Sequence, residues 1–73
     1  MLSFADGTIV DGIVIDLSVL GAAVSANVTP PVGTVLAVGR VAARVVRHFA
    51  GAFAVRFVEA QNRETVESLV ILK

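Results

Sequence analysis

Asp16, Ser18 and Gly21 are the residues of this 73-residue chain whose types and spacing best suit the binding of a ligand. They follow a run of β-branched residues, so the Asp-x-Ser-x-x-Gly spacing predicts that Asp16 and Ser18 project together at the end of a strand. Gly21 lets the backbone turn or approach a ligand closely, because it has no Cβ. A carboxylate, a hydroxyl and a bare backbone can together hydrogen-bond the polar edge of a nucleobase.

A purely structural role for Asp16 and Ser18 is an equal alternative. Both residue types favour turns at strand ends, because their side chains accept hydrogen bonds from neighbouring backbone N–H groups. The motif therefore predicts either a ligand site or a turn.

Alternating apolar residues predict that these side chains sit on a small, mainly all-β fold forming a single domain over residues 1–73. The last segment changes to helical spacing, with Asn62 as a plausible N-cap. Six short antiparallel strands that close into a barrel, with one C-terminal α-helix over an opening, leave no exposed edges. The six predicted strands cover residues 1–5, 8–17, 21–27, 34–38, 40–45 and 52–57.

Residue parity assigns the faces of these strands. In the second strand, one face carries Ile9, Ile13, Ile15 and Leu17, and the other carries Val10, Val14, Asp16 and Ser18. Asp11 interrupts the first face and predicts a barrel end or a bulge. Phe49, Phe53 and Phe57 share parity with Val45 and Val55, which predicts core packing for all three rings. Asp6-Gly7 predicts a two-residue hairpin turn.

Composition excludes several function classes. The chain has no cysteine, one histidine and a formal net charge of zero. We therefore expect no disulfide, no metal site and no nucleic-acid partner. His48 and Ser18 lack the sequence context of a hydrolase, so we expect no catalytic residue and no enzyme. Residues 17–39 carry no charge, but Pro30-Pro31 interrupts them, which argues against a membrane span and favours a cytoplasmic domain.

The apolar content of 56% is high for so short a chain. It predicts apolar surface that contacts a protein partner, a neighbouring domain or a second protomer of a homodimer.

The motif at residues 16–21, followed by the apolar strand at 22–26, resembles the PilZ domain family of bacterial cyclic di-GMP receptors. The Pro31-Val32-Gly33-Thr34 segment and the hairpin at residues 45–57 extend the resemblance. It implies a six-stranded PilZ-like β-barrel, no cofactor, and cyclic di-GMP as the ligand. Carried over by position, Asp16 would accept hydrogen bonds from guanine, Ser18 would add a polar contact, and Gly21 would permit close approach.

The family's second motif, an Arg-x-x-x-Arg segment before the barrel that meets phosphate and guanine, has no counterpart in residues 1–5. Loss of two charge-assisted contacts at about 1.5–3 kcal/mol each weakens binding by roughly 10²–10⁴-fold. Either such a segment precedes Met1 in a longer polypeptide, or the domain is a degenerate member that acts through protein contacts. Arg40, Arg44, Arg47 or Arg56 could substitute only if they reach the Asp16 face.

The resemblance therefore predicts a non-catalytic signalling domain linked to cyclic di-GMP, with weak or incomplete ligand binding. The alternative is a ligand-independent protein-protein interaction or dimerisation module.

Overall fold

Seven antiparallel β-strands make up the part of the chain that the computed structural model describes, residues 1–59. The strands are β1 (Leu2–Phe4), β2 (Ile9–Val10), β3 (Gly12–Leu17), β4 (Gly21–Ala26), β5 (Val35–Val38), β6 (Val41–Phe49) and β7 (Ala52–Phe57). They form one sheet in the order β2-β1-β5-β6-β7-β4-β3. The expectation of a mainly all-β antiparallel fold is confirmed.

The sheet curls into a half-barrel because of its connectivity. β2 and β3 lie at opposite ends of the strand order, yet only Asp11 separates them along the chain. The two ends of the sheet must therefore meet at Asp11. A barrel end or a bulge was predicted at this residue, and the structure has a break there that divides the long strand expected at residues 8–17.

The prediction of six strands thus differs from the seven observed by this one division at Asp11. The first half of the divided strand pairs with β1 and the second half pairs with β4, so each half serves a different neighbour. The C-terminal helix, predicted from Asn62 onwards, lies outside the described residues.

The core lies inside the curl and is apolar throughout. Alternate residues of β4, β6 and β7 point inward, which is the period-two pattern of strands with one buried face. The largest fully buried side chains are Phe53, Leu2, Val24, Val38 and Val45. Core packing of Phe53 and Phe57, which are 0% and 4% exposed, is confirmed.

The turn at Asp6-Gly7 differs from the two-residue hairpin that was expected. The Phe4 N–H donates to the Thr8 carbonyl and the Gly7 N–H donates to the Phe4 carbonyl, so three residues form the loop. Gly7 has a φ of 92°, which favours glycine there. The Asp6 carboxylate accepts a hydrogen bond from the Thr8 N–H at 2.9 Å, and this bond lowers the pKa of Asp6 below its ordinary value.

Two β-bulges change which face the residues beyond them occupy. On β3, Val14 pairs with Val24 but Asp16 pairs with Ala23, so Ile15 is the extra residue. On β6, Val45 pairs with Val55 but Arg47 pairs with Ala54, so Val46 is the extra residue. Each bulge moves the following side chains to the opposite face of the sheet.

Candidate functional site

Ser18 and Gly21 flank the turn between β3 and β4. The Ser18 N–H donates to the Gly21 carbonyl at 2.9 Å, which closes the turn around Val19 and Leu20. The Ser18 Oγ accepts hydrogen bonds from the Leu20 and Gly21 N–H groups at 3.2 and 3.3 Å. Ser18 therefore has the local structural role that its residue type favours at a strand end.

Asp16 reaches the outer face of the sheet because of the bulge at Ile15. Val14 faces the core, and simple alternation would turn Asp16 inward as well. The extra residue instead pairs Asp16 with outward-facing Ala23, and the carboxylate is exposed. Its Oδ1 accepts a hydrogen bond from the Leu17 N–H at 2.9 Å, which leaves its other oxygen without a protein donor among residues 1–59.

The face assignment made from parity along this strand is therefore wrong in part. Asp16 and Ser18 are both exposed, as expected, but Val10 and Val14 pack against the core instead of sharing their face. On the other predicted face, Leu17 packs inward while three isoleucines are exposed: Ile9, Ile13 and Ile15. The division at Asp11 and the bulge at Ile15 both break the period of two.

Gly21 lies where β7 comes unusually close. A Cβ at this position would be 2.2 Å from the Val55 carbonyl oxygen and 3.2 Å from the Arg56 Cα. The Phe57 N–H also donates to the Leu20 carbonyl at 2.8 Å beside it. In the structure the group that closely approaches Gly21 is a neighbouring strand, and the close approach of a ligand to this glycine stays a prediction.

An open groove of about 350 Å³ lies on the outer face of β3, β4, β7 and β6. We call it the outer-face groove. Its lining includes all three residues of the motif, together with residues from the β6–β7 hairpin. Apart from aliphatic residues, the lining consists of Asp16, Ser18, Gly21, Arg47, Phe49 and Arg56.

Strand register sets the layout of this groove. Asp16 pairs with Ala23, Ala23 pairs with Ala54, and Ala54 pairs with Arg47. One row across four strands therefore has a carboxylate at one end, a guanidinium at the other and two alanines between them. Three strand spacings separate the ends by roughly 14 Å along the sheet. Small side chains between charged walls leave space for a planar group.

Phe49 belongs to this groove and not to the core. It is 42% exposed, so the parity prediction was wrong for this ring. The bulge at Val46 explains the difference, because it pairs Arg47 with Ala54 and Phe49 with Ala52 on the outer face. The Arg47 guanidinium carbon lies 4.7 Å from the centre of the Phe49 ring, within the range of a cation–π contact.

The four arginines considered from the sequence take different places. Arg47 and Arg56 line the outer-face groove with Asp16. Arg44 pairs with Arg56 and donates a hydrogen bond to the Gly33 carbonyl at 3.4 Å. Arg40 lies in the β5–β6 turn, outside the groove lining. Sequence reasoning missed the grouping because it depends on register and on the bulge at Val46.

Comparisons with family models, with curated proteins and with solved structures find no match to this chain. Among residues 1–59, the structure has no helix of the length and apolar character needed to cross a membrane.

Proposed function

We propose that this chain is a PilZ-type, non-catalytic signalling domain of the cytoplasm that binds cyclic di-GMP weakly in the outer-face groove. The observation that carries the proposal is that Asp16, Ser18 and Gly21 line a single groove on the outside of the curled sheet. The three residues whose types suit the binding of a nucleobase therefore lie together on an accessible surface.

The strand arrangement supports the same proposal. If β2 and β3 are counted as two halves of one strand divided at Asp11, six strands remain, which is the number expected of a PilZ-like barrel. The two ends of the sheet meet at that residue, so the half-barrel curls in the direction that a barrel needs.

Asp16 supplies the recognition of guanine in this proposal. A carboxylate has four lone-pair sites and no donor, so it suits the N–H groups on the edge of a guanine. Its bond with the Leu17 N–H uses one oxygen and holds the carboxylate in place, and the Asp16 side chain is exposed. Ser18 already accepts two backbone N–H groups, so its role is to fix the turn beside the ligand.

Calorimetric titration of cyclic di-GMP into the wild-type chain and into D16A tests this function. We expect binding by the wild type and a loss of at least ~1 kcal/mol in D16A, because one charge-assisted acceptor is removed. D11A is the matched control, since Asp11 is exposed and does not line the outer-face groove. The proposal is wrong if the wild type gives no heat at high micromolar ligand, or if D16A binds as tightly as D11A.

A second candidate function is a protein-protein interaction or dimerisation module, and the exposed isoleucines of β2 and β3 favour it. Ile9, Ile13 and Ile15 are between 59% and 68% exposed. Large apolar side chains exposed on two strands that follow each other in the chain are candidates for a contact surface. Sedimentation measured from micromolar to millimolar protein tests self-association. A monomer across that range would contradict dimerisation.

A further inference from the structure

We propose that Arg47 and Arg56 bind the phosphodiester groups of the nucleotide, so that the sheet itself carries the cationic half of the site. This inference rests on the proposed function, which assigns the guanine contacts to the opposite wall of the same groove. No arginine before β1 is needed for it.

The positions of the two arginines are the first observation. Arg47 ends the row that begins at Asp16, and Arg56 pairs with Gly21 in the adjacent row. Both side chains are exposed and both line the outer-face groove. A ligand whose polar base edge meets Asp16 therefore has its anionic part directed towards two guanidinium groups.

The contact between Arg47 and Phe49 is the second observation. The ring lies 4.7 Å from the guanidinium carbon and restricts the arginine to the surface of the groove. Stacking on an aromatic face leaves the in-plane N–H donors of a guanidinium available. Arg47 is thus partly oriented before an anion arrives, which reduces the entropy lost on binding.

The charge balance of the groove is the third observation. Its lining holds two guanidinium groups and one carboxylate, so its net charge is positive. Within residues 1–59, neither Arg47 nor Arg56 is in an ion pair. Arg56 also lies directly opposite Arg44 on β6, and like charges in that arrangement destabilise a sheet. An anion above Arg56 would relieve this repulsion.

The chemistry of the anion follows from the geometry. Guanidinium forks bind phosphate oxygens through two parallel N–H bonds, and two of them on adjacent rows suit the two phosphodiesters of a cyclic dinucleotide. The alanines between the charged walls give the sugar-phosphate ring room to lie close to the sheet.

Calorimetric titration of cyclic di-GMP into the wild type, R47A, R56A and R40A tests the inference. R40A is the matched control, because it removes the same charge from an exposed turn outside the groove. We expect R47A and R56A each to lower the affinity at least tenfold, as for loss of a charge-assisted hydrogen bond. R40A should change the affinity by less than about twofold, since it alters only the long-range field.

The outcomes separate this inference from the function on which it rests. If the wild type binds and both R47A and R56A bind like R40A, the arginine assignment is wrong and the proposed function stands. If the wild type gives no heat, both are wrong. Thermal unfolding of each variant checks its fold, and R47Q and R56Q, which keep a long polar side chain, replace any alanine variant whose unfolding midpoint falls. Loss of affinity in the glutamine variants supports the assignment, and wild-type affinity in them overturns it.

Discussion

Replacement of Gly21 by alanine should destabilise the fold severely, because the new Cβ would meet the backbone of β7. An ordinary contact at a Cβ is 3.4 Å or more, whereas the Val55 carbonyl oxygen lies 2.2 Å from the position this Cβ would take. β4 and β7 must therefore separate by about 1.2 Å at this point. A peptide oxygen cannot move aside as the end of a flexible side chain can.

The cost has three contributions. Overpacking of this kind typically costs about 1–3 kcal/mol. Separation of the strands also stretches the hydrogen bond from the Phe57 N–H to the Leu20 carbonyl, now 2.8 Å, and its loss adds about 1 kcal/mol. Alanine restricts the unfolded chain more than glycine does, and this effect stabilises the fold by about 0.4–1 kcal/mol. The net expectation is a loss of roughly 1–3.5 kcal/mol in the free energy of unfolding.

Thermal and urea unfolding of G21A measures this loss. For a domain of this size the expected fall in Tm is at least ~4 °C. G12A is the matched control, because a Cβ at Gly12 would meet only side-chain atoms, Leu2 Cδ1 at 3.0 Å and Val24 Cγ1 at 3.1 Å. These atoms need to move by only a few tenths of an ångström, so G12A should be less destabilised than G21A. The reasoning is refuted if G21A unfolds at the wild-type temperature, or if G12A is the more destabilised variant.

Two further predictions concern the core and the first hairpin. F53A should lose about 3–5 kcal/mol of stability because Phe53 is fully buried. F49A should lose about 1 kcal/mol or less because Phe49 lies on the outer face. Equal losses in urea unfolding would contradict the assignment of the two rings. The hydrogen bond from the Thr8 N–H lowers the pKa of Asp6, so this carboxylate stabilises the fold above its ordinary pKa of 3.8 and the contribution is lost as the pH falls through the lower, folded value. NMR titration of the Asp6 side chain should therefore give a pKa below 3.8, and a value at or above it would exclude the bond in solution.

Much of the fold could be predicted from the sequence, because most of these strands have one buried face. Alternation along β6 and β7 predicted their pairing and the burial of Phe53 and Phe57. Asp11 interrupts an apolar face, and the structure divides the predicted strand at this residue. A charged residue within an otherwise apolar face can therefore indicate where a strand is interrupted.

The faces beyond each bulge could not be predicted in the same way. Ile15 and Val46 are β-branched residues typical of regular strands, and neither carries a glycine-like signal for an extra residue. Each bulge reverses the parity of the residues after it. For this reason residue parity wrongly predicts that Phe49 packs in the core. The position of Arg47 at the other end of the row from Asp16 follows only from the register of four strands.

Gly21 is another residue whose neighbours in the fold could not be predicted from the sequence. The sequence predicts that the backbone at Gly21 turns or approaches a ligand closely. In the structure, the group beside Gly21 is the backbone of β7. A motif glycine can therefore be required for the scaffold that supports a site.

Mapping the backbone amide shifts of isotope-labelled protein during titration with cyclic di-GMP tests the central claim most directly. The outer-face groove predicts that the largest changes fall at residues 16–21, at Arg47 and at Arg56. A second groove, between the first hairpin and the Pro30-Pro31 loop, offers a contrasting location lined by Phe4 and Thr8. Changes concentrated in that second groove, or no change at millimolar ligand, would contradict the account.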